Sequence, residues 1–253
     1  MHKTALITGA TSGIGEATAI LLAKNSFNLI VTGRRNDRLL ILKEKIEAKT
    51  TAKIIILNFD VRKQHDCEVA IKSLPAEWQQ IDILINNAGL AVGLSDINDG
   101  DTDDWERMID TNVKGLLYIS RIISDKMIKA GGGHIINISS IAGKETYPMG
   151  NVYCATKHAV QALTKGMRLD FLKYGIKVSS ICPGAVDTEF SLIRFKGDKQ
   201  RAEKVYEGLT PLSADDIAQT ILFVITRPKH VNIDDVLVMP VDQGYSRDFN
   251  RKS

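Results

Sequence analysis

The 253-residue chain carries 33 Lys and Arg against 30 Asp and Glu, a net charge of +3, with 44% hydrophobic and 25% charged residues. That composition suits one large α/β domain, and so small and dispersed a charge argues against a nucleic-acid surface. Three cysteines make no disulfide framework, five scattered histidines lack metal-ligand spacing, and no apolar run approaches a membrane span, so no metal, membrane or nucleic-acid partner is expected.

Short β-rich runs alternate with helical patterns from the start, the signature of a parallel sheet covered on both faces. A strand at 3–9 leaves no room for a signal peptide, and with the reduced cysteines this predicts a cytoplasmic protein. No linker or repeat divides the chain, so a single domain over 1–253 is expected. The first strand runs into Gly9, Thr11, Ser12, Gly13, Ile14 and Gly15, and a helix follows at 16–25. Strand, glycine-rich turn and helix N-terminus together make a cradle of backbone N–H groups for a pyrophosphate, although a flexible turn would read similarly.

The second strand, at 27–33, ends in Arg34 and Arg35, where NAD-binding folds place a carboxylate on the ribose 2′-hydroxyl. Guanidinium groups there suit a 2′-phosphate, which predicts NADP; the alternative is two arginines capping a loop before a helix at 37–49. The third strand, at 53–59, stops at Asp60 and Val61. Asp60 suits either the adenine amino group or a helix cap. A fourth strand, at 81–85, leads to Asn86, Asn87, Ala88 and Gly89, and a helix at about 102–129 carries Asn112 inside it. Asparagine is a poor helix former, so Asn112 is expected to have a tertiary role.

A fifth strand, at 134–139, delivers Ser139 and Ser140 to the same edge. Beyond the next loop, Tyr153 and Lys157 stand four residues apart on one helical face, which puts an ammonium beside a phenol. A fixed cation lowers a phenol's pKa, but reaching neutrality takes about three units, roughly 4 kcal/mol, more than one lysine supplies. By itself the pair also reads as a solvated helix face.

In order, Gly9-x-x-x-Gly13-x-Gly15, Asn86-Asn87-Ala88-Gly89, Asn112, Ser140, Tyr153-x-x-x-Lys157 and Pro183-Gly184 resemble the short-chain dehydrogenase/reductase family over nearly the whole chain. The stretches 73–78, 194–198 and 239–241 look like its NADP-dependent 3-hydroxy acid dehydrogenases, which oxidise serine, allo-threonine and related acids. The resemblance implies a three-layer Rossmann fold with a doubly wound, seven-stranded parallel sheet, and a homotetramer. It implies that Tyr153 exchanges the substrate proton and that Ser140, not Ser139, holds the substrate oxygen. Lys157 would lower the tyrosine pKa, assisted by the positive charge of the oxidised nicotinamide, and hold the nicotinamide ribose, and Asn112 would anchor a water that links Lys157 to solvent. After a sixth strand at 176–182, Pro183, Gly184, Val186 and Thr188 would hold the nicotinamide carboxamide. Lys144 and Glu145 depart from the bulkier apolar residues expected after Gly143.

A lid is expected at 188–208, where aromatics, glycines and charges mix without a clean helical period. Its cations Arg194, Lys196 and Arg201 are candidates for a substrate carboxylate, Arg194 first because its planar fork suits two oxygens; each also reads as a solvated loop cation. Cys154 and Cys182 are expected to pack rather than to react. The resemblance thus implies an NADP-dependent oxidoreductase of a small 3-hydroxy acid such as serine, allo-threonine or 3-hydroxypropanoate. The alternatives are a reductase of other carbonyls and a non-catalytic NADP sensor.

Overall fold

The computed structural model describes residues 2–252, so Met1 and Ser253 of the expected 1–253 domain lie outside the described residues. Seven strands form one parallel sheet: β1 (Thr4–Ile7), β2 (Asn28–Gly33), β3 (Ile54–Asn58), β4 (Ile83–Asn86), β5 (Gly133–Ile138), β6 (Ile176–Pro183) and β7 (Asp235–Val238). Their order is β3-β2-β1-β4-β5-β6-β7, so the winding reverses between β1 and β4. At that point Ile7 lies level with Val31 of β2 on one side and Ile85 of β4 on the other. Ligands of such sheets bind at the carboxyl edge beside this reversal.

The strands read as nearly continuous Ile, Leu and Val because both faces are buried. Ala5, Ile7, Leu29, Val31, Ile83 and Ile85 point to one layer, with α1 (Gly13–Lys24), α2 (Asn36–Glu47) and α9 (Ala214–Ile225). Their neighbours Leu6, Ile30 and Leu84 point to the other, with α3 (Gln64–Lys72), α5 (Leu116–Ala130) and α6 (Asn151–Phe171). Each fully buried Leu or Ile contributes about 1.5 to 3 kcal/mol, which makes this alternation the main source of stability. Among the described residues no helix is long and apolar enough to cross a membrane.

Three local expectations change. The helix expected at 102–129 is α4 (Thr102–Ile109) and α5 joined by a π-helical turn, Asp110–Gly115, with Asn112 inside it. The lid is helical after all, with α7 (Phe190–Arg194) and α8 (Lys199–Lys204). Both are shorter than two turns, so no amphipathic period had room to show. Asp60 is not a helix cap: Lys63 takes that place, and an Asp60 oxygen accepts the Arg62 N–H at 3.0 Å.

Candidate active site

The carboxyl ends of the strands open onto a cavity of about 790 Å³. Its floor at β1 is the turn through Gly9 and Gly13, both at positive φ (+66° and +55°), where any other residue is strained. A Cβ on Gly9 would stand 2.9 Å from the Ala88 Cα, so the turn lies directly against the segment after β4. Thr8 fastens the two together: its hydroxyl accepts the N–H groups of Asn87 and Ala88, each at 3.0 Å. The Asn87 amide returns the contact by donating to the Thr8 and Gly9 carbonyls at 2.9 and 3.1 Å. Ser12 caps α1 in extended backbone without a side-chain cap bond, which leaves the start of the helix, at Gly13 and Ile14, on the cavity wall, while Gly15 packs behind it against Asn87 and Gly9. Free N–H groups at a helix start attract anions, so this floor fits a pyrophosphate.

Arg34 and Arg35, at the end of β2, are not equivalent. Arg35 lies across the glycine turn, donating to the hydroxyls of Thr11 (2.8 and 3.1 Å) and Ser12 (2.8 Å), and pairs with Glu189 at 2.9 Å. Glu189 also holds Arg38 at 2.6 Å, a third cation near this corner that sequence reasoning missed. Arg34 is more than half exposed and has only a 3.9 Å approach to Asp60. It is the cation best placed to turn to a 2′-phosphate, with Arg35 behind it. Asp60 is gripped by the Arg62 guanidinium at 2.6 Å; although burial works the other way, those bonds hold its carboxyl below the usual range. Val61 lines the cavity beside it.

At the other end, Tyr153 and Lys157 stand on α6 with their side chains buried, and the Lys157 Nζ lies 5.9 Å from the Tyr153 ring centre. Lys157 donates to the Ile138 carbonyl at 2.9 Å, which fixes it under the end of β5. Burial pulls its ammonium down to about 8. Burial likewise pushes the Tyr153 phenol above its ordinary value, helped by the neighbouring Tyr147, while Ser140 and Arg194 pull it back. In the protein alone, therefore, desolvation dominates the phenol, and one lysine that is itself buried does not offset it.

The two serines part as strand alternation requires. Ser139 is buried and its Oγ donates to the Lys157 carbonyl at 3.2 Å, tying the helix to the strand. Ser140 faces the cavity, with its Oγ 3.1 Å from the Ala142 N–H and its side chain against Tyr153. Asn112 is drawn to the same place. Its amide bonds both backbone groups of Leu90 and the Thr156 hydroxyl, all buried. Those three bonds commit the side chain to structure, so any water it anchors must use what remains, above all its backbone carbonyl.

Across the cavity, Pro183 ends β6, and Gly184 donates to the Val238 carbonyl at 2.7 Å. The Val186 carbonyl accepts the Tyr206 hydroxyl at 2.7 Å, and a Cβ at position 13 would stand 3.2 Å from the Thr188 Cγ2, so the two segments are in close contact. All four residues named for the carboxamide line the wall facing Tyr153. Of the lid cations, Lys196 is engaged elsewhere, with Asp104 at 2.8 Å and Asp101 at 3.2 Å. Arg201 stacks on Phe195 at 4.6 Å. Arg194 lies 5.6 Å from the Tyr153 ring centre and 5.4 Å from that of Tyr147, and its Nε is buried without a partner. Sequence reasoning missed Tyr147, Phe190 and Arg247, which also line this end. Only the position of Tyr147, six residues before Tyr153, offered any signal. Cys154 and Cys182 are buried free thiols, and burial pushes the Cys182 thiol up to about 11, so packing is their role.

The arrangement places a phenol, a hydroxyl and a buried lysine around one wall of a cleft whose other end presents a helix N-terminus and arginines. Comparison with known proteins agrees with that geometry. The family model for short chain dehydrogenase matches residues 3–197. The NADP-dependent 3-hydroxy acid dehydrogenase of Salmonella typhi is 44% identical over 242 residues, 95% of this chain and 96% of its own. The enzyme of the same description from Schizosaccharomyces pombe is 42% identical over 251 residues, 99% and 97% of the two chains. Among solved structures, the closed form of serine dehydrogenase complexed with NADP+ superposes with a TM-score of 0.91 at 43% identity, covering 96% of this chain and 97% of that one. With matches of this identity along almost its full length, the chain belongs to the short-chain dehydrogenase family.

Proposed function

We propose that this protein is an NADP-dependent dehydrogenase of small 3-hydroxy acids, of the serine, allo-threonine or 3-hydroxypropanoate type. The observation that carries the substrate class is Arg194, whose buried, unpartnered Nε lies beside Tyr153 in the same cavity. Leaving a guanidinium nitrogen dry and unpaired is costly, and a carboxylate is the group that relieves it.

Held by the glycine turn and the segment after β4, NADP would supply the acceptor for the hydride of the carbinol carbon. Everything else falls to the chain. Tyr153, as phenolate, takes the hydroxyl proton, so that the C–O bond becomes a carbonyl; in reduction it returns that proton. Ser140 donates to the substrate oxygen and fixes it against Tyr153. Lys157, anchored on Ile138, holds the ribose hydroxyls and steadies the phenolate, while Asn112 keeps the floor beside Lys157 in place. Gly9 to Gly15 and Asn87 to Gly89 hold the dinucleotide, and Arg34 and Arg35 select its 2′-phosphate. The lid over 188–208 closes the site and presents Arg194. Three free buried thiols support a cytoplasmic setting. Exposed Leu169, Leu172 and Phe223 on the outer helices support assembly with further copies, as in the tetramer implied by the family.

The test is the absorbance of NADPH formed from 3-hydroxypropanoate, serine and allo-threonine, each beside its methyl ester. The acids should be turned over at least about tenfold more efficiently, the factor one charge-assisted pair supplies. Equal rates on the esters would replace this reading by a general carbonyl reductase.

A further inference from the structure

Residues 243–249 form a closed turn at the mouth of the cavity, and Arg247 stands near its tip. Gly244 and Tyr245 both direct their N–H groups to the Asp248 carbonyl, at 3.0 and 3.5 Å, and Gln243 bridges to Phe249. Two side-chain contacts moor this turn to the body. Gln243 Oε1 accepts the Ala185 N–H at 2.8 Å. Glu145 Oε2 accepts both the N–H and the hydroxyl of Ser246, each at 2.9 Å. The residue held most firmly is thus the one immediately before Arg247.

That mooring brings the Arg247 guanidinium to 4.9 Å from the ring centre of Tyr147, the same ring that Arg194 approaches at 5.4 Å. Gly150 makes room for the ring, since a Cβ there would run into it. Of the other cations nearby, Arg35 and Arg38 pair with Glu189 and Arg107 and Lys196 with Asp104; Arg201 lies on the Phe195 ring, Arg251 is bonded to backbone carbonyls, and Lys204 lines the cavity without an ion pair among the described residues. Arg194 and Arg247 have no ion pair among the described residues. Burial first, then the charge of Arg194, pulls the Arg247 pKa below its ordinary value. Both guanidiniums lie against the same ring, and an anion held by both would offset their repulsion.

We propose that Arg247 is a second specificity-determining arginine, sharing the substrate carboxylate with Arg194, and that Glu145 is the positioning residue that holds it in place. The inference rests on the 3-hydroxy acid reading and deepens it. One carboxylate has two oxygens with about four acceptor positions, enough for a nitrogen from each arginine. Arg194 comes from the lid and Arg247 from the far end of the chain, so the acid would also fasten the lid to the body.

The test uses the full-length protein with NADP, 3-hydroxypropanoate and its methyl ester. Arg247→Ala should raise KM for the acid by about tenfold, the loss of one charge-assisted contact, with kcat within about twofold and the ester unaffected. Arg247→Lys should recover part of that loss. Glu145→Ala should raise the acid KM in the same direction and add nothing in the Arg247→Ala background, as expected for a residue acting through another. Titration with NADP and a thermal melt of each variant read out cofactor binding and folding separately. An unchanged acid KM in Arg247→Ala, or an equal loss on acid and ester, overturns the proposal. If Arg194→Ala discriminates acid from ester while Arg247→Ala does not, this inference alone fails. If the wild type treats acid and ester alike, the 3-hydroxy acid reading fails and takes the inference with it.

Discussion

Asn112 clasps the backbone of Leu90 with both ends of its amide: Oδ1 accepts the Leu90 N–H at 2.8 Å, and Nδ2 donates to the Leu90 carbonyl at 2.8 Å. The π-helical turn carries the amide there, out of the regular path of α4 and α5. Between this clasp and Lys157 lies Gly89, where a Cβ would stand 3.3 Å from Asn112 Oδ1 and 3.5 Å from Lys157 Nζ. The clasp therefore sets both the cofactor-facing loop after β4 and the space around the lysine.

Asn112→Ala should cost stability and activity together. It leaves two backbone groups of Leu90 buried without partners, a penalty of about 1 to 3 kcal/mol. The thermal midpoint should drop by roughly 5 °C, on a scale of ~2 to 4 °C per kcal/mol for a chain of this size. A variant as stable as the wild type would mean that water replaces the amide at no cost.

Tyr153→Phe should lower kcat by about 10² to 10⁴, the range that general acid-base groups contribute, because it removes the transferred proton and nothing else. NADP affinity, read by fluorescence titration, should stay within about twofold. Lys157→Ala should weaken both binding and turnover, since its Nζ serves the cofactor and the phenolate. A Phe variant retaining most of its turnover would place proton transfer elsewhere.

Arg34→Ala should remove most of the preference for NADP over NAD, which we expect to be at least about tenfold, or roughly 1.4 kcal/mol. Arg35→Ala should weaken both cofactors, because Arg35 also braces Thr11 and Ser12 of the glycine turn. Isothermal titration with each cofactor separates the two effects. Equal binding of NAD and NADP by the wild type would sink the assignment of the 2′-phosphate site.

His134 ties acid stability to the sheet. It is buried in β5 with Nε2 bonded to the Ser179 hydroxyl at 2.9 Å and Nδ1 unpartnered, and burial holds its pKa at about 3. The ring is thus neutral in the fold, whereas in the unfolded chain it takes up a proton near pH 6.5. Its contribution is complete above about pH 6.5 and is lost as pH falls from there toward 3, at up to about 1.4 kcal/mol per pH unit. Denaturant melts of His134→Gln between pH 7 and 4 should show a shallower decline than the wild type. Parallel curves would place the acid sensitivity elsewhere.

The glycine turn, the strand ends and the Tyr153/Lys157 face were legible because each is a local pattern joined to a strand or helix signal. Arg34 was legible for the same reason. Arg247 was not: it owes its position to Glu145, 102 residues earlier, and nothing near either residue signals the other. The pairing of Arg35 with Glu189 and the commitment of Lys196 to Asp104 are likewise tertiary. In α7 and α8 the helices are too short to carry a period. The state of the Tyr153 phenol was not legible either: spacing on a helix tells which groups are neighbours, but not how dry the place is.

That dryness leads to the last prediction. Alone, the protein keeps the Tyr153 phenol above its ordinary value and the Lys157 ammonium near 8, so at neutral pH the lysine is still largely charged while the phenol holds its proton. A positive charge arriving beside them favours the phenolate, whereas a neutral ring in the same place does not. Tyr153 should therefore be more acidic in the complex with NADP+ than in the complex with NADPH. By linkage, affinity for NADP+ relative to NADPH should rise with pH through the phenol's pKa, and binding of NADP+ should release protons that binding of NADPH does not. Titration of each cofactor in two buffers of different ionisation enthalpy, between pH 8 and 10, measures that difference. Tyr153→Phe should abolish it. Identical proton release by the two cofactors, or a difference that survives in the Phe variant, would show that Tyr153 does not feel the nicotinamide charge and that its acidity must be set by Ser140 and Arg194 instead.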